Sequence, residues 1–147
     1  MIERLCVIGV GLIGGSLARA LRDAGFCREV VGASRNPAHL QQAVDLGVID
    51  RYETDLARAV AGADMVLVSV PLGAMAAVFS AIKGHLAEHA VLTDAGSAKG
   101  GVIEAARQVF AGLPAFFVPG HPIAGTEQSG VEASFADLYR DRRVILT

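Results

Sequence analysis

Two glycine-rich stretches of this 147-residue chain hold residue types suited to ligand binding and proton transfer. Gly9-Val10-Gly11-Leu12-Ile13-Gly14 fits G-x-G-x-x-G, follows the apolar run Leu5-Cys6-Val7-Ile8 and opens a helical pattern. In that setting the first glycine permits a tight turn, the second lets a pyrophosphate approach the backbone, and the third lets helix and strand pack closely. Backbone N–H groups and the helix dipole then hold phosphate oxygens. The pattern reads as a dinucleotide turn; the plainer alternative is a glycine turn kept for packing. The second stretch, Gly120 to Gly130, holds His121 between a glycine and a proline. Little in it favours helix or strand, so His121 is expected outside the core, where an imidazole titrating near working pH suits general-base chemistry. A turn-stabilising hydrogen bond is the other use of such a histidine.

About 20 residues past such a glycine turn, NAD-preferring sites place an Asp or Glu that accepts from the ribose 2′-hydroxyl. Here the corresponding strand end reads Gly32-Ala33-Ser34-Arg35-Asn36, without an acid. Ser34 and Asn36 are able to donate hydrogen bonds, and the Arg35 guanidinium suits a 2′-phosphate, so NADP is favoured over NAD. A solvated Arg35 beside an NAD site lacking its acid is the competing reading. Val70 and Pro71 end the clearest strand pattern, Met65–Val70, and join Gly9, Gly11, Leu12, Ile13, Gly14, Ser34 and Arg35 as expected cofactor contacts. No metal is expected, because the four histidines show no ligand spacing. His39, His85 and His89 fall in helical or helix-end contexts and read as surface residues.

These residues must be held by a scaffold, and its elements are legible. Leu5–Ile8 is a short continuous apolar run, the mark of a strand buried on both faces of a parallel sheet. Ile13 to Ala24 has helical spacing and Gly25 as its stop. Strand patterns follow at Val30–Ala33, Ile49–Glu53, Met65–Val70, Val91–Asp94 and Ala115–Val118. Helical patterns lie between them at Pro37–Leu46, Asp55–Ala61, Gly73–Leu86 and Gly101–Phe110. Beyond the polar stretch, a short helix is expected around Phe135–Tyr139 and a strand at Val144–Leu146. Such alternation specifies an α/β fold, a Rossmann-type doubly wound and mostly parallel sheet with helices on both faces. Its ligand crevice lies outside the carboxyl ends of the strands, where Gly9, Pro71, Asp94 and Gly120 fall.

At 52% hydrophobic and 19% charged residues, the chain supports one core over residues 1–147 and is too apolar for disorder. A formal charge of −2 without a basic cluster argues against nucleic acid or an anionic membrane as partner. The apolar runs fall far short of the roughly 18 residues a membrane helix needs. Met1 to Leu5 enters a strand pattern directly, without the features of a secretory leader, so a cytoplasmic protein is expected. Cys6, in a strand pattern, and Cys27, in a loop, lack disulfide or metal spacing and are expected as free thiols.

Three motifs together resemble a known family. They are Gly9-Val10-Gly11-Leu12-Ile13-Gly14-Gly15-Ser16, Asp94-x-Gly96-Ser97-x-Lys99, and Gly120-His121-Pro122-Ile123-Ala124-Gly125-Thr126-Glu127-x-Ser129-Gly130. In that order they strongly resemble the prephenate/arogenate dehydrogenases of tyrosine biosynthesis, over essentially Leu5 to Thr147. The resemblance implies oxidative decarboxylation of prephenate or its transaminated analogue arogenate, with hydride transfer to NAD(P)⁺. It also implies that His121 takes the proton of the substrate's ring hydroxyl and that Ser97 orients the histidine and contacts the same hydroxyl. Glu127 matches a family acid near the site entrance that interacts with a distant arginine. Plainer roles are a helix N-cap for Ser97 and a solvated carboxylate for Glu127; Lys99 is assigned no chemistry. Family members continue into a mainly helical domain that forms a homodimer and supplies an arginine for the substrate carboxylate. This chain ends at Thr147, so that domain is expected to be absent from it, leaving cofactor binding with little or no turnover. Two other readings remain: a β-hydroxyacid-type dehydrogenase domain, which has no need of the Gly-His-Pro stretch, and a non-catalytic NADP(H)-binding module with His121 and Ser97 idle.

Overall fold

The computed structural model describes residues 1–96, 98–123, 131, 134, 135, 138 and 143–146; for 121–123 and 143–146 the description is of the backbone. Six strands and five helices alternate in the order β1 (Ile2–Ile8), α1 (Leu12–Asp23), β2 (Cys27–Ala33), α2 (Pro37–Asp45), β3 (Arg51–Glu53), α3 (Leu56–Val60), β4 (Met65–Val68), α4 (Leu72–Ile82), β5 (Val91–Asp94), α5 (Lys99–Phe110) and β6 (Phe117–Val118). All six strands run parallel in the order β3-β2-β1-β4-β5-β6, the doubly wound arrangement expected. The order reverses between β1 and β4, which places the ligand crevice at their carboxyl ends.

The apolar run of β1 works on both faces because successive side chains of a strand point in opposite directions. Cys6 and Ile8 join a core with Val31, Val66, Val68 and Leu92, covered by α3, α4 and α5 through residues such as Val60, Phe79 and Val102. Leu5 and Val7 face the other core, with Val30 and Leu67 beneath Ala18 of α1 and Leu40 of α2. Helix boundaries follow local chemistry. Asn36 caps α2 by accepting from the N–H groups of Ala38 and His39, and Pro37 takes the first helical position. Both α1 and α2 close on left-handed glycines, Gly25 and Gly47, with the paired carbonyl contacts of a Schellman end.

Two expectations are corrected. Cys27 is not in a loop: it begins β2 and is buried, with Phe26 O accepting from Ile2 N at the edge where the ladder starts. The segment from Gly120, read as lacking strand character, forms β7 (Gly120–Ile123) and pairs antiparallel with β8 (Arg143–Leu146) as a separate two-stranded sheet. Pro122 is compatible with it because a two-stranded ribbon consists of edge strands, where a missing donor is tolerated. The expected helix at 135–139 lies largely outside the described residues. The Cys6 thiol is pushed up to about 12 by burial, in keeping with a free, unreactive thiol. Among the described residues no helix is long and apolar enough to cross a membrane.

Phe79 is the largest fully buried side chain and contacts Phe110 and Phe117 at ring-centroid distances of 5.6 and 5.5 Å, tying α4 to α5 and to the edge strand β6. Replacing it with alanine removes this three-element contact. Phe79→Ala is expected to cost about 3–5 kcal/mol, read as a lower urea midpoint at constant m.

Candidate functional site

The glycine turn between β1 and α1 is built by crowding. Gly9 has φ +90°, a left-handed conformation, and any Cβ there would collide with the carbonyl of Ser69 just past β4. A Cβ on Gly14 would lie 2.6 Å from Gly9 O and 2.8 Å from Val7 Cγ1, so this position sets how closely α1 lies on the sheet. Gly11 is the contrast: nothing lies within 4 Å of its Cβ position. The turn is thus closed at its first and third glycines and open at its second, the shape a pyrophosphate requires. Gly11 is also the N-cap of α1 and supplies no side-chain cap, so the first turn of the helix opens beside the glycine turn.

Beside the turn lies a cleft of about 800 Å³ at the carboxyl ends of β1, β2 and β4, lined by Ile8, Ser34, Arg35, Val70 and Pro71 among others. Four of the expected cofactor contacts therefore share one wall system. Arg35 is exposed and forms no ion pair among the described residues. The Ser34 hydroxyl accepts from Asn36 N at 3.2 Å and keeps its own proton to donate. The Asn36 side-chain oxygen caps α2, while its amide N–H groups stay free to donate as expected. His39, read as a plain surface residue, lines the same cleft next to Arg35. A helical position three residues past a cap was its sole sequence signal.

The second cluster centres on a residue to which sequence reading gave no role. Asp94 ends β5 and is 2% exposed. Its Oδ2 accepts from Gly96 N at 2.8 Å and pairs with Lys99 Nζ, while Oδ1 accepts from Gly120 N at 3.1 Å. Lys99, at 14% side-chain exposure, begins α5 with Ala98 at the N-cap position. A Cβ on Gly96 would come within 3.0 Å of Asp94 Oδ2 and 2.9 Å of Val102 Cγ2, which explains the glycine. Thr93 Oγ1 donates to Val118 O at 2.6 Å, bracing the same strand ends. His121 follows Gly120 directly in β7; Ser97 and Glu127 lie outside the described residues. Among the described residues no group of three or more His, Cys, Asp or Glu forms a metal site.

An all-parallel sheet in this order, a glycine turn open at its second position and a cleft at the switch point define a nucleotide-binding domain of Rossmann type. The chain belongs to the prephenate dehydrogenase family: residues 17–147 match the family described as prephenate dehydrogenase, nucleotide-binding domain. Cyclohexadienyl dehydrogenase of Zymomonas mobilis is 37% identical over 150 residues, covering 99% of this chain and 49% of that protein. The crystal structure of Aquifex aeolicus prephenate dehydrogenase with hydroxyphenyl propionate and NAD⁺ superposes with a TM-score of 0.89 at 38% identity, over 100% of this chain and 51% of that one. Synechocystis arogenate dehydrogenase gives 0.86 at 30% identity, over 99% and 50%. The chain thus spans about half the length of these relatives.

The two open and closed glycines separate binding from folding. Gly11→Ala is expected to cost less than about 1 kcal/mol of stability yet weaken nucleotide binding about tenfold or more by filling the cradle. Gly14→Ala, which drives a methyl into Gly9 and Val7, is expected to cost about 1–3 kcal/mol in denaturant unfolding.

Proposed function

We propose that this chain is the cofactor-binding half of an NAD(P)-dependent dehydrogenase that oxidatively decarboxylates prephenate, or arogenate, to 4-hydroxyphenylpyruvate, or tyrosine. The observation that carries the reading is the junction of two motifs: the Gly120 backbone, one residue before His121, is bonded to Asp94 at the head of the Ser97 loop. That junction lies at the carboxyl end of β5, next to β4 and the glycine turn, where a dinucleotide on this fold extends its reactive end. When bound, the oxidised nicotinamide accepts a hydride.

In this reading the chain's own residues manage the proton and the geometry. His121 takes the proton of the ring hydroxyl as the carbinol C–H pair departs as hydride, and the alcohol oxygen becomes a carbonyl. The bond to the ring carboxylate breaks, carbon dioxide leaves, and its electron pair aromatises the ring, whose oxygen takes back a proton as phenol. Ser97 holds the hydroxyl and the imidazole in line, and Glu127 guards the entrance. The remaining half of the relatives' length is assigned the substrate-carboxylate arginine and the homodimer contact.

NADP is the favoured cofactor. Support comes from the absence of an acid at the end of β2 and from Arg35, unpaired among the described residues, with Ser34 and His39 beside it. An arginine fork suits a phosphate dianion and gains nothing from a ribose hydroxyl that wants an acceptor.

Calorimetric titration with NADP⁺ and NAD⁺ tests the choice. Arg35→Ala is expected to weaken NADP⁺ about tenfold or more and NAD⁺ little; equal losses overturn the 2′-phosphate assignment. His121→Asn, assayed in the full-length protein, is expected to lower kcat by about 10²–10⁴ with cofactor affinity unchanged. Full turnover in that variant removes His121 from the mechanism.

A further inference from the structure

A buried ion pair is weak evidence for stability, because apolar residues of similar volume replace such pairs at little cost. Asp94 Oδ2 lies at the Gly96 turn, whose Cβ position also faces Val102 and Met75 of one core. The role that the pair fills and hydrophobic side chains cannot is hydrogen-bond acceptance. The three donors that converge on Asp94 give that role. Gly96 and Lys99 flank Ser97 on either side, and Gly120 directly precedes His121. One carboxylate therefore grips both site segments, with a different oxygen for each.

We propose that Asp94 is the positioning residue of the site. Its Oδ2 fixes the loop that carries Ser97 at both ends, and its Oδ1 fixes the backbone one residue, about 3.8 Å between Cα atoms, before His121. The carboxylate sets the separation of the two backbone segments, at Gly96 and Gly120, from which the proton-handling pair acts. β7 stands outside the six-stranded sheet, so no main-sheet ladder performs this task for it. The inference rests on the reading of His121 and Ser97 as the proton-handling pair.

Three variants of the full-length protein test it: Asp94→Asn, the double variant Asp94→Leu/Lys99→Met, and His121→Asn. Asparagine keeps an acceptor for Gly120 N, whereas the apolar pair leaves neither an acceptor nor an orphan charge and so folds if Asp94→Asn does not. The double variant is expected to bind NADP⁺ and NAD⁺ within about twofold of the parent while kcat falls about 100-fold, the scale of an ångström-level misplacement. Its Gly120 amide should lose protection from hydrogen exchange, and Asp94→Asn should recover part of both losses. Parental kcat in a double variant that has lost Gly120 protection overturns the proposal. So does a parallel fall of cofactor affinity and kcat, which makes the carboxylate an element of the fold. Loss of turnover in His121→Asn without loss in the double variant fails the positioning role alone, whereas full turnover in His121→Asn fails the underlying reading and the proposal with it.

Discussion

Everything at the crevice depends on how closely the turn after β1 approaches the end of β4. The two strands are neighbours, paired from Leu5–Met65 to Ile8–Val68, and the chain must leave both at the same edge. Gly9 resolves the conflict by turning left-handed against the Ser69 carbonyl, and Gly14 lets α1 descend onto Val7. A side chain at either place would push the helix away from the sheet and its N-terminus away from the crevice. The shape of the turn is thus a by-product of close packing: the constraint that seats α1 also brings its N-terminus to the space beside Gly11.

The two cores hold that constraint in place from opposite sides. β1 contributes Leu5 and Val7 to one and Cys6 and Ile8 to the other, so the strand before the glycine turn cannot slide without exposing both layers. At the far end of the sheet, Phe79, Phe110 and Phe117 clamp α4 and α5 over β6, the shortest strand. Asp94 ends β5, the neighbour of β6, and its contact with Lys99 sits at the opposite end of α5 from Phe110.

The fold was legible because its signals are local. Apolar runs of four to seven residues, left-handed glycines after helices and Pro37 at a helix start each act within a few positions. The glycine turn was equally legible, since each glycine's task depends on its immediate neighbours. What escaped the sequence was non-local. Asp94 meets Gly120 across 26 positions, and its link to Lys99 crosses a strand-to-helix turn, a spacing without a periodic signature. β7 escaped because a strand of four residues containing a proline has no alternation to read; its partner β8, 20 residues on, alone makes it a strand. Cys27 was misjudged for a related reason: a strand edge is defined by what packs beside it.

Charge completes the logic of the crevice. A site for a pyrophosphate gains from positive potential, and a bare carboxylate in its floor would oppose it. Asp94 is the buried carboxylate among the described residues, and Lys99 is held against it, so the residue that joins the two motif segments adds no net charge there. The neutralisation is internal, with Lys99 drawn from the same motif as Asp94. Arg35 stands apart at the end of β2 as a free cation among the described residues, exposed where solvent lowers the cost of keeping it unpaired. The crevice thus places its paired charge where geometry must be rigid and its unpaired charge where an anionic ligand arrives from water. In the proposed reading, that division gives the buried pair to positioning and the exposed arginine to cofactor choice.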